Sequence, residues 1–278
     1  MVKQAYNDAI SEFKKEVPFH FGGSSADGGN MNEAAIAERL LQFGGETHEV
    51  HDESTGVPEA DALVYNLSEF PHAFVLACLM DRGEKWQRAW QVPYEISLRL
   101  PDFSISTLSG LSLDQLTEFM SQPKKLHRYF QKMSEVFYEA VQRIRREYDG
   151  HAERIWIGKP SSAEVVYRFL EFKGAGPKIA TMATNILARD CKIEFSDYYS
   201  VDISVDEHVR RVFERLGLRR PEGSDEEVIY KARALSPDYP GRLDLPCWVI
   251  GRRWCTADKS KRECGSCYMR DLCPSALA

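Results

Sequence analysis

Four of the chain's seven cysteines, Cys255, Cys264, Cys267 and Cys273, fall within nineteen residues as Cys-x8-Cys-x2-Cys-x5-Cys. Four thiolates on one short loop are the usual ligands of either a tetrahedral zinc ion or a 4Fe-4S cluster, and spacing alone leaves both open. A second candidate is Lys178 in "FKGAGPKIA", where Gly174 and Gly176 permit a tight turn and Pro177 suits the first position of a new helix. The unpaired N–H groups of such a helix start attract a phosphate, and an amine placed there out of water becomes a nucleophile. A plain turn followed by a solvated lysine accounts for the same residues. The third candidate is Asp206 in "VDEHVRRVFERLGL", a carboxylate at a helix entrance that serves either as an N-cap or as a stabiliser of positive charge.

These groups need elements to hold them, and the chain signals helices throughout. Apolar residues recur at helical spacing without convincing alternating strand runs, so the fold class is mostly α. Helices are predicted near 69–80, 84–99, 112–121, 125–147, 161–172, 177–190, 206–216, 224–235 and 243–253. Another is predicted over "NEAAIAERLLQF", with Asn32 as its N-cap and Gly44 as its stop. Ser112-x-x-Gln115, Ser161-x-x-Glu164 and Ser224-x-x-Glu227 have capping-box form. The stretch "FGGSSADGGN" marks the first thirty residues as partly mobile. After Trp254 the chain is rich in Cys, Lys, Arg and Ser and too poor in aliphatic residues to fold by burial, so something other than a core must organise it.

A chain of 278 residues can build a core without disulfides, and an odd count of seven cysteines argues against complete pairing. The most apolar stretch is broken by Asn66, Glu69, Pro71 and His72, so no membrane segment is expected and the protein reads as soluble and cytoplasmic. The net charge of −6 neither supports nor excludes a nucleic-acid partner, because binding depends on where basic residues lie. The hairpin lacks the Gly-Lys-Ser/Thr of a phosphate-binding loop, which argues against a nucleotide cofactor.

Taken in order, "FKGAGPKIA", "VDEHVRRVFERLGL" and "WVIGRRWC…CGSC…DLC" resemble the helix–hairpin–helix DNA glycosylases, most closely the iron–sulfur endonuclease III family, from about residue 66 to the C-terminus. The resemblance implies a two-lobed helical fold: an N-terminal extension over 1–65 that joins the cluster lobe, a helical domain over 66–200 with the hairpin motif at 162–190, and a region over 201–278 with the catalytic helix and cluster loop. It implies a base-excision-repair glycosylase with AP lyase activity, in which Lys178 forms a Schiff base and Asp206 is the essential carboxylate. It also decides for iron, making Cys255, Cys264, Cys267 and Cys273 the ligands of a 4Fe-4S cluster. Gly174, Gly176 and Lys173 become the DNA-backbone hairpin, and Arg252 and Arg253, with Lys259, Lys261, Arg262 and Arg270, supply phosphate contacts. Arg82, Asp81 and Trp86 fall where the family probes the base stack.

The implied partner is double-stranded DNA with a flipped damaged base, bound by a monomer. Two readings stand beside it: a monofunctional glycosylase in which Asp206 activates water, and a non-catalytic iron–sulfur protein that binds DNA. The chain departs from the family pattern in its 28-residue step from Lys178 to Asp206, lengthened by "CKIEFSDYYSVDIS", and in its long first cysteine gap.

Overall fold

The computed structural model describes residues 27–46 and 55–277, and every regular element among them is helical. The first is α1 (Asp27–Glu46), followed by α2 (Pro58–Tyr65), α3 (Pro71–Met80), α4 (Trp86–Trp90), α5 (Val92–Ser97), α6 (Ile105–Ser109), α7 (Leu113–Ser121) and α8 (Phe130–Glu147). Then come α9 (Ser162–Leu170), α10 (Pro177–Arg189), α11 (Glu207–Arg215), α12 (Asp225–Leu235), α13 (Asp244–Arg253) and α14 (Pro274–Leu277). No helix among the described residues is long and apolar enough to cross a membrane.

Two apolar cores divide these elements. α3 is apolar on every side and all ten of its residues are buried, as expected of a helix at the centre of a bundle. Around it α8, α9 and α10 lay down Phe137, Phe169 and Ile179, and Trp156 closes the core edge-on against Phe74 with ring centroids 6.0 Å apart. The second core draws from both ends of the described chain. Ile36, Leu40 and Phe43 of α1 pack with Val212 and Phe213 of α11, Val228 of α12 and Ile250 of α13. α11 and α13 approach so closely at Gly251 that an added Cβ would stand 2.7 Å from the His208 Cβ.

Most helix ends follow the local signals. Ser112 and Gln115 complete a reciprocal capping box, and the Ser161 hydroxyl accepts from the Glu164 N–H. Ser224 does occupy an N-cap position, but its hydroxyl makes no bond to the α12 backbone, and the Glu227 carboxylate is held chiefly by Arg220 while also reaching the Ser224 backbone. Asn32 and Gly44 do not bound α1, which starts at Asp27 and runs on to Glu46 because its apolar face stays seated on the second core. The single helix expected over 84–99 is two short ones meeting at Gln91, since Pro93 in the first turn of α5 cannot donate into a continuous ladder. The helix expected from residue 125 starts at Phe130. α2 and α6 were not signalled by periodicity. The mobility expected of the first thirty residues concerns 1–26, which lie outside the described residues, and the start of α1.

The long step between α10 and α11 is pinned at several points. The Ser196 N–H donates to Pro160 O at 2.9 Å and the Ser200 N–H to the Ser162 hydroxyl at 3.1 Å, while Phe195, Val201 and Ile203 are buried. The Gly241 N–H donates to Val201 O at 2.8 Å, and a Cβ at Gly241 would lie 2.9 Å from that oxygen, so only glycine permits this approach. The inserted residues thus return the chain to the seam between the two cores just before Asp206.

Candidate active site

Residues 172–178 turn from α9 into α10 as the spacing predicts. Gly174 adopts φ +88°, which favours glycine, and its Cβ would crowd Val136 Cγ2 at 3.1 Å. Gly176 is extended, and nothing lies within 4 Å of the place a Cβ would occupy, so the backbone is open to an approaching ligand on that side. Pro177 opens α10. Arg82 donates from Nη1 to Gly174 O at 3.2 Å, and Lys173 pairs with Glu135 at 3.3 Å on the exposed surface. Arg82 and Lys173 are thereby brought to the hairpin.

Behind the hairpin a cavity of about 390 Å³ opens between the two cores. One face of α10 lines it with Lys178, Met182, Asn185, Ile186 and Arg189, spaced three or four residues apart as one helical stripe requires. The second core contributes Gly44 and Gly45 from α1, Asp206 at the entrance of α11, and Asp244, Leu245 and Trp248 from α13. Trp86 and Trp90 of α4 form an aromatic side. Lys178 and Asp206, 28 residues apart in sequence, therefore face the same space.

Asp206 does cap α11: its Oδ1 accepts from the His208 and Val209 N–H groups, both at 2.8 Å. Capping and lining the cavity are compatible, because the cap fixes one oxygen of a carboxylate that has two. Asp202, in the other Val-Asp pair, does not line the cavity and is clamped by Arg233 through two hydrogen bonds of 2.7 and 2.8 Å. Lys178 Nζ is paired with Asp81 Oδ2 at 3.1 Å, so Asp81 is a cavity residue that holds the amine. Trp86 likewise stands in the cavity wall, edge-on to Trp248 at 6.1 Å. The Arg252 guanidinium is half-buried behind them, 4.4 Å from the Trp248 ring centroid and 5.9 Å from that of Trp86, whereas Arg253 is exposed beside Trp254.

Sequence reasoning did not single out Asp244, Asn185 or Arg189. Asn185 and Arg189 had a signal in their i, i+4 spacing, which continues the Lys178 face of α10. Asp244 had one too, as a lone carboxylate in "LDLPCWVI". Burial pushes the Asp244 carboxyl up to about 6; the Arg189 charge pulls it back and the Asp206 carboxylate adds to the rise.

The four tail cysteines surround one loop held by α11. Arg211 donates from Nε to Cys255 O at 2.6 Å and from Nη2 to Gly251 O at 2.9 Å, and Arg215 donates from Nη1 to Cys255 Sγ at 3.0 Å. The Cys273 thiol donates to Arg215 O at 3.4 Å. Burial pushes the Cys267 thiol up to about 11, and the negative charge of the other three cysteines adds to it, so the four sulfurs feel one another. Among the described residues no three His, Cys, Asp or Glu side chains stand in the geometry of a single-ion cage. The donor set is nonetheless four soft thiols, with an arginine turned toward the sulfur of one and the carbonyl oxygen of that arginine toward another. That chemistry suits a thiolate-bound metal group.

No protein-family model matches the chain, and no curated protein matches it in sequence. Solved structures do. A trapped endonuclease III–DNA covalent intermediate is similar over 78% of this chain and 93% of that chain, at 17% identity and a TM-score of 0.54. A non-covalent endonuclease III–DNA complex is similar over 74% of this chain and 84% of that one, at 17% identity and a TM-score of 0.55. A thermostable thymine-DNA glycosylase is similar over 90% of this chain and 99% of that one, at 13% identity and a TM-score of 0.61. With its hairpin, its two cores and the cavity between them, the chain has the fold of the helix–hairpin–helix DNA glycosylases.

Proposed function

We propose that the protein is a DNA glycosylase of base-excision repair that acts on duplex DNA with one nucleotide turned out of the stack. The observation that carries this reading is that Lys178 and Asp206 share a wall-to-wall cavity with three tryptophans. Its volume, about 390 Å³, lies within the roughly 300–1,000 Å³ typical of small-ligand sites. A base inside a duplex is out of reach, so the nucleotide must rotate into such a space, with aromatic faces replacing its lost stacking. The hairpin supports the same reading: the open side of Gly176 and the start of α10 suit a backbone phosphate, with Arg82 and Lys173 beside them. Arg253, Lys259, Lys261 and Arg270 are exposed on and before the cysteine loop and would add phosphate contacts.

Lys178 attacks the anomeric carbon in this reading as the C1′–N bond breaks and the base leaves, and the sugar ring then opens at C1′–O4′ to an imine that permits strand cleavage, giving AP lyase activity. Asp81 holds the amine in place and is positioned to receive the proton it gives up. The Asp206 carboxylate stabilises positive charge developing on the sugar. The four tail cysteines would hold a 4Fe-4S cluster, which would supply the order that a tail without a core lacks. A second reading rests on the ion pair itself: Lys178, held by Asp81, serves as a phosphate contact, and Asp206 activates water.

The test is a panel of duplexes, each carrying one modified base, incubated with borohydride. The first reading expects a covalent protein–DNA product that disappears in Lys178→Gln. Base release with no trapping selects the second, and a panel with no base release refutes both.

A further inference from the structure

The cavity is lined by five carboxylates, and four are firmly engaged. Asp81 is held by Lys178, Asp61 by the Thr55 N–H, Asp190 by Arg189 and Asp206 by the first turn of α11. Asp244 differs. It is 9% exposed, and its Oδ2 receives two long hydrogen bonds, 3.4 Å each, from Asn185 Nδ2 and the Ser204 N–H. It makes no ion pair among the described residues. Asn185 is itself fixed, since its Oδ1 accepts from the Tyr239 hydroxyl at 2.6 Å and its Nδ2 also donates to Gly241 O at 3.0 Å. The two protein hydrogen bonds of measured length thus both fall on Oδ2, and the Ser204 side chain adds a further contact to the carboxyl.

We propose that Asp244 is the general acid of this site, passing a proton to a neutral base as its glycosidic bond breaks. The inference rests on the glycosylase reading and narrows it to bases that present a lone pair, on a ring nitrogen or a carbonyl oxygen, to the α13 wall. The step balances. The C1′–N bond breaks, its electron pair passes into the base ring, the Asp244 proton goes to the lone pair, the cation left at C1′ is taken by the Lys178 amine or by water, and the Asp244 carboxylate regains a proton from solvent.

Two carboxyls in one cavity with opposite tasks need environments that set them apart. Asp206 spends one oxygen on two short backbone hydrogen bonds at the start of α11, whereas Asp244 is buried within reach of the Asp206 charge. The groups facing Asp244 are Arg189 at the end of α10, Ser204 and Asp206 before α11, and Cys247 one turn on; Asp190 and Tyr239 in turn face Arg189. Where α1 meets the cavity it brings Gly44 and Gly45. The Arg189 charge opposes protonation most, with the Ser204 hydrogen bonds behind it, and the Arg189 guanidinium is already committed to Asp190 through bonds of 2.8 and 2.7 Å.

The experiment compares single-turnover base release by wild type and Asp244→Asn across pH 5 to 9. The duplexes carry 8-oxoguanine, hypoxanthine, uracil or dihydrouracil, and a further duplex carries 7-methylguanine, a base that is already cationic and leaves without a proton. On the neutral base that wild type releases, Asp244→Asn should lose about 10²–10⁴-fold, the usual worth of a general acid. Its residual rate should also lose the fall with rising pH that wild type shows. If wild type releases 7-methylguanine, the variant should keep that rate within a few-fold and bind uncleaved duplex as before. A variant unimpaired on the neutral base, or one with the wild-type pH profile at a uniformly lower rate, overturns the inference while leaving the glycosylase reading intact. Wild type that releases no base from any duplex overturns that reading, and this inference with it.

Discussion

The hairpin lobe and the cysteine loop owe their order to different physics. In the hairpin lobe, burial does the work: α3 is wholly inside, α8 to α10 wrap it, and Lys178 rides on a helix whose opposite face is sunk in the core. Among the described residues beyond Trp254, Met269 alone is buried, and the tail is held by arginines reaching from α11 to backbone carbonyls and a thiol. α11 therefore carries Asp206 at its N-terminus and the anchors of the cysteine loop further along. A site residue on the first lobe depends on apolar packing, whereas Asp206 also depends on whatever organises the tail.

Removing a cysteine should expose that difference most strongly. Wild-type protein purified without air is expected to carry about four irons per chain with matching sulfide. Cys264→Ser should lose that iron and lower the stability of the second lobe, leaving the α3 core to unfold much as before. The check is iron content together with hydrogen exchange read separately over α3 and over α11 to α13. Uniform loss of protection in both lobes would mean that they do not differ as described.

Asp244 gives a smaller effect of opposite sign. Its carboxyl titrates at about 6 in the folded state and at the ordinary 3.8 when unfolded, so between those values the folded chain binds more protons. Stability from this group is thus lost as pH rises through that window, reaching a penalty of about 3 kcal/mol above it. Asn at position 244 carries no such penalty. Asp244→Asn should match wild type near pH 4 and exceed it by up to about 3 kcal/mol at pH 8 in urea unfolding. A variant less stable than wild type at pH 8 would show that the carboxylate is better accommodated than its contacts indicate.

The smallest contrast lies between two serines with the same local motif. Ser112→Ala should cost about 1 kcal/mol through the lost cap, whereas Ser224→Ala should cost only a few tenths, because its hydroxyl turns to the Glu226 side chain rather than to the α12 backbone. Equal costs in chemical denaturation would remove the distinction.

The motifs disclosed more of the fold than of the site's inner wall. Pro177, Ser112, Ser161 and Asp206 mark helix starts because capping is a local interaction within three or four residues, and the starts of α7, α9, α10 and α11 follow them. The break at Gln91 needed attention to Pro93, and the extension of α1 past Gly44 needed knowledge of a core drawn from the far end of the chain. Lys178 and Asp206 were legible because family motifs flank each. The Asp81–Lys178 pair spans 97 residues, and the Asn185–Asp244 contact 59, distances over which no periodicity speaks. The contact of Trp86 with Trp248 is equally silent in the sequence, because the two belong to different lobes.

The central claim is that Asp206, not its neighbour Asp202, completes a cavity where Lys178 meets a flipped nucleotide. Single-turnover base release by Asp206→Asn and Asp202→Asn, on the duplex that wild type processes, tests it most directly. Asp206→Asn should lower the rate by about 10³-fold or more, in the range of lost transition-state charge stabilisation, while binding duplex as tightly as wild type. Asp202→Asn, which only frees Arg233, should stay within a few-fold of wild type. Loss of base release in Asp202→Asn with activity retained in Asp206→Asn would contradict the account.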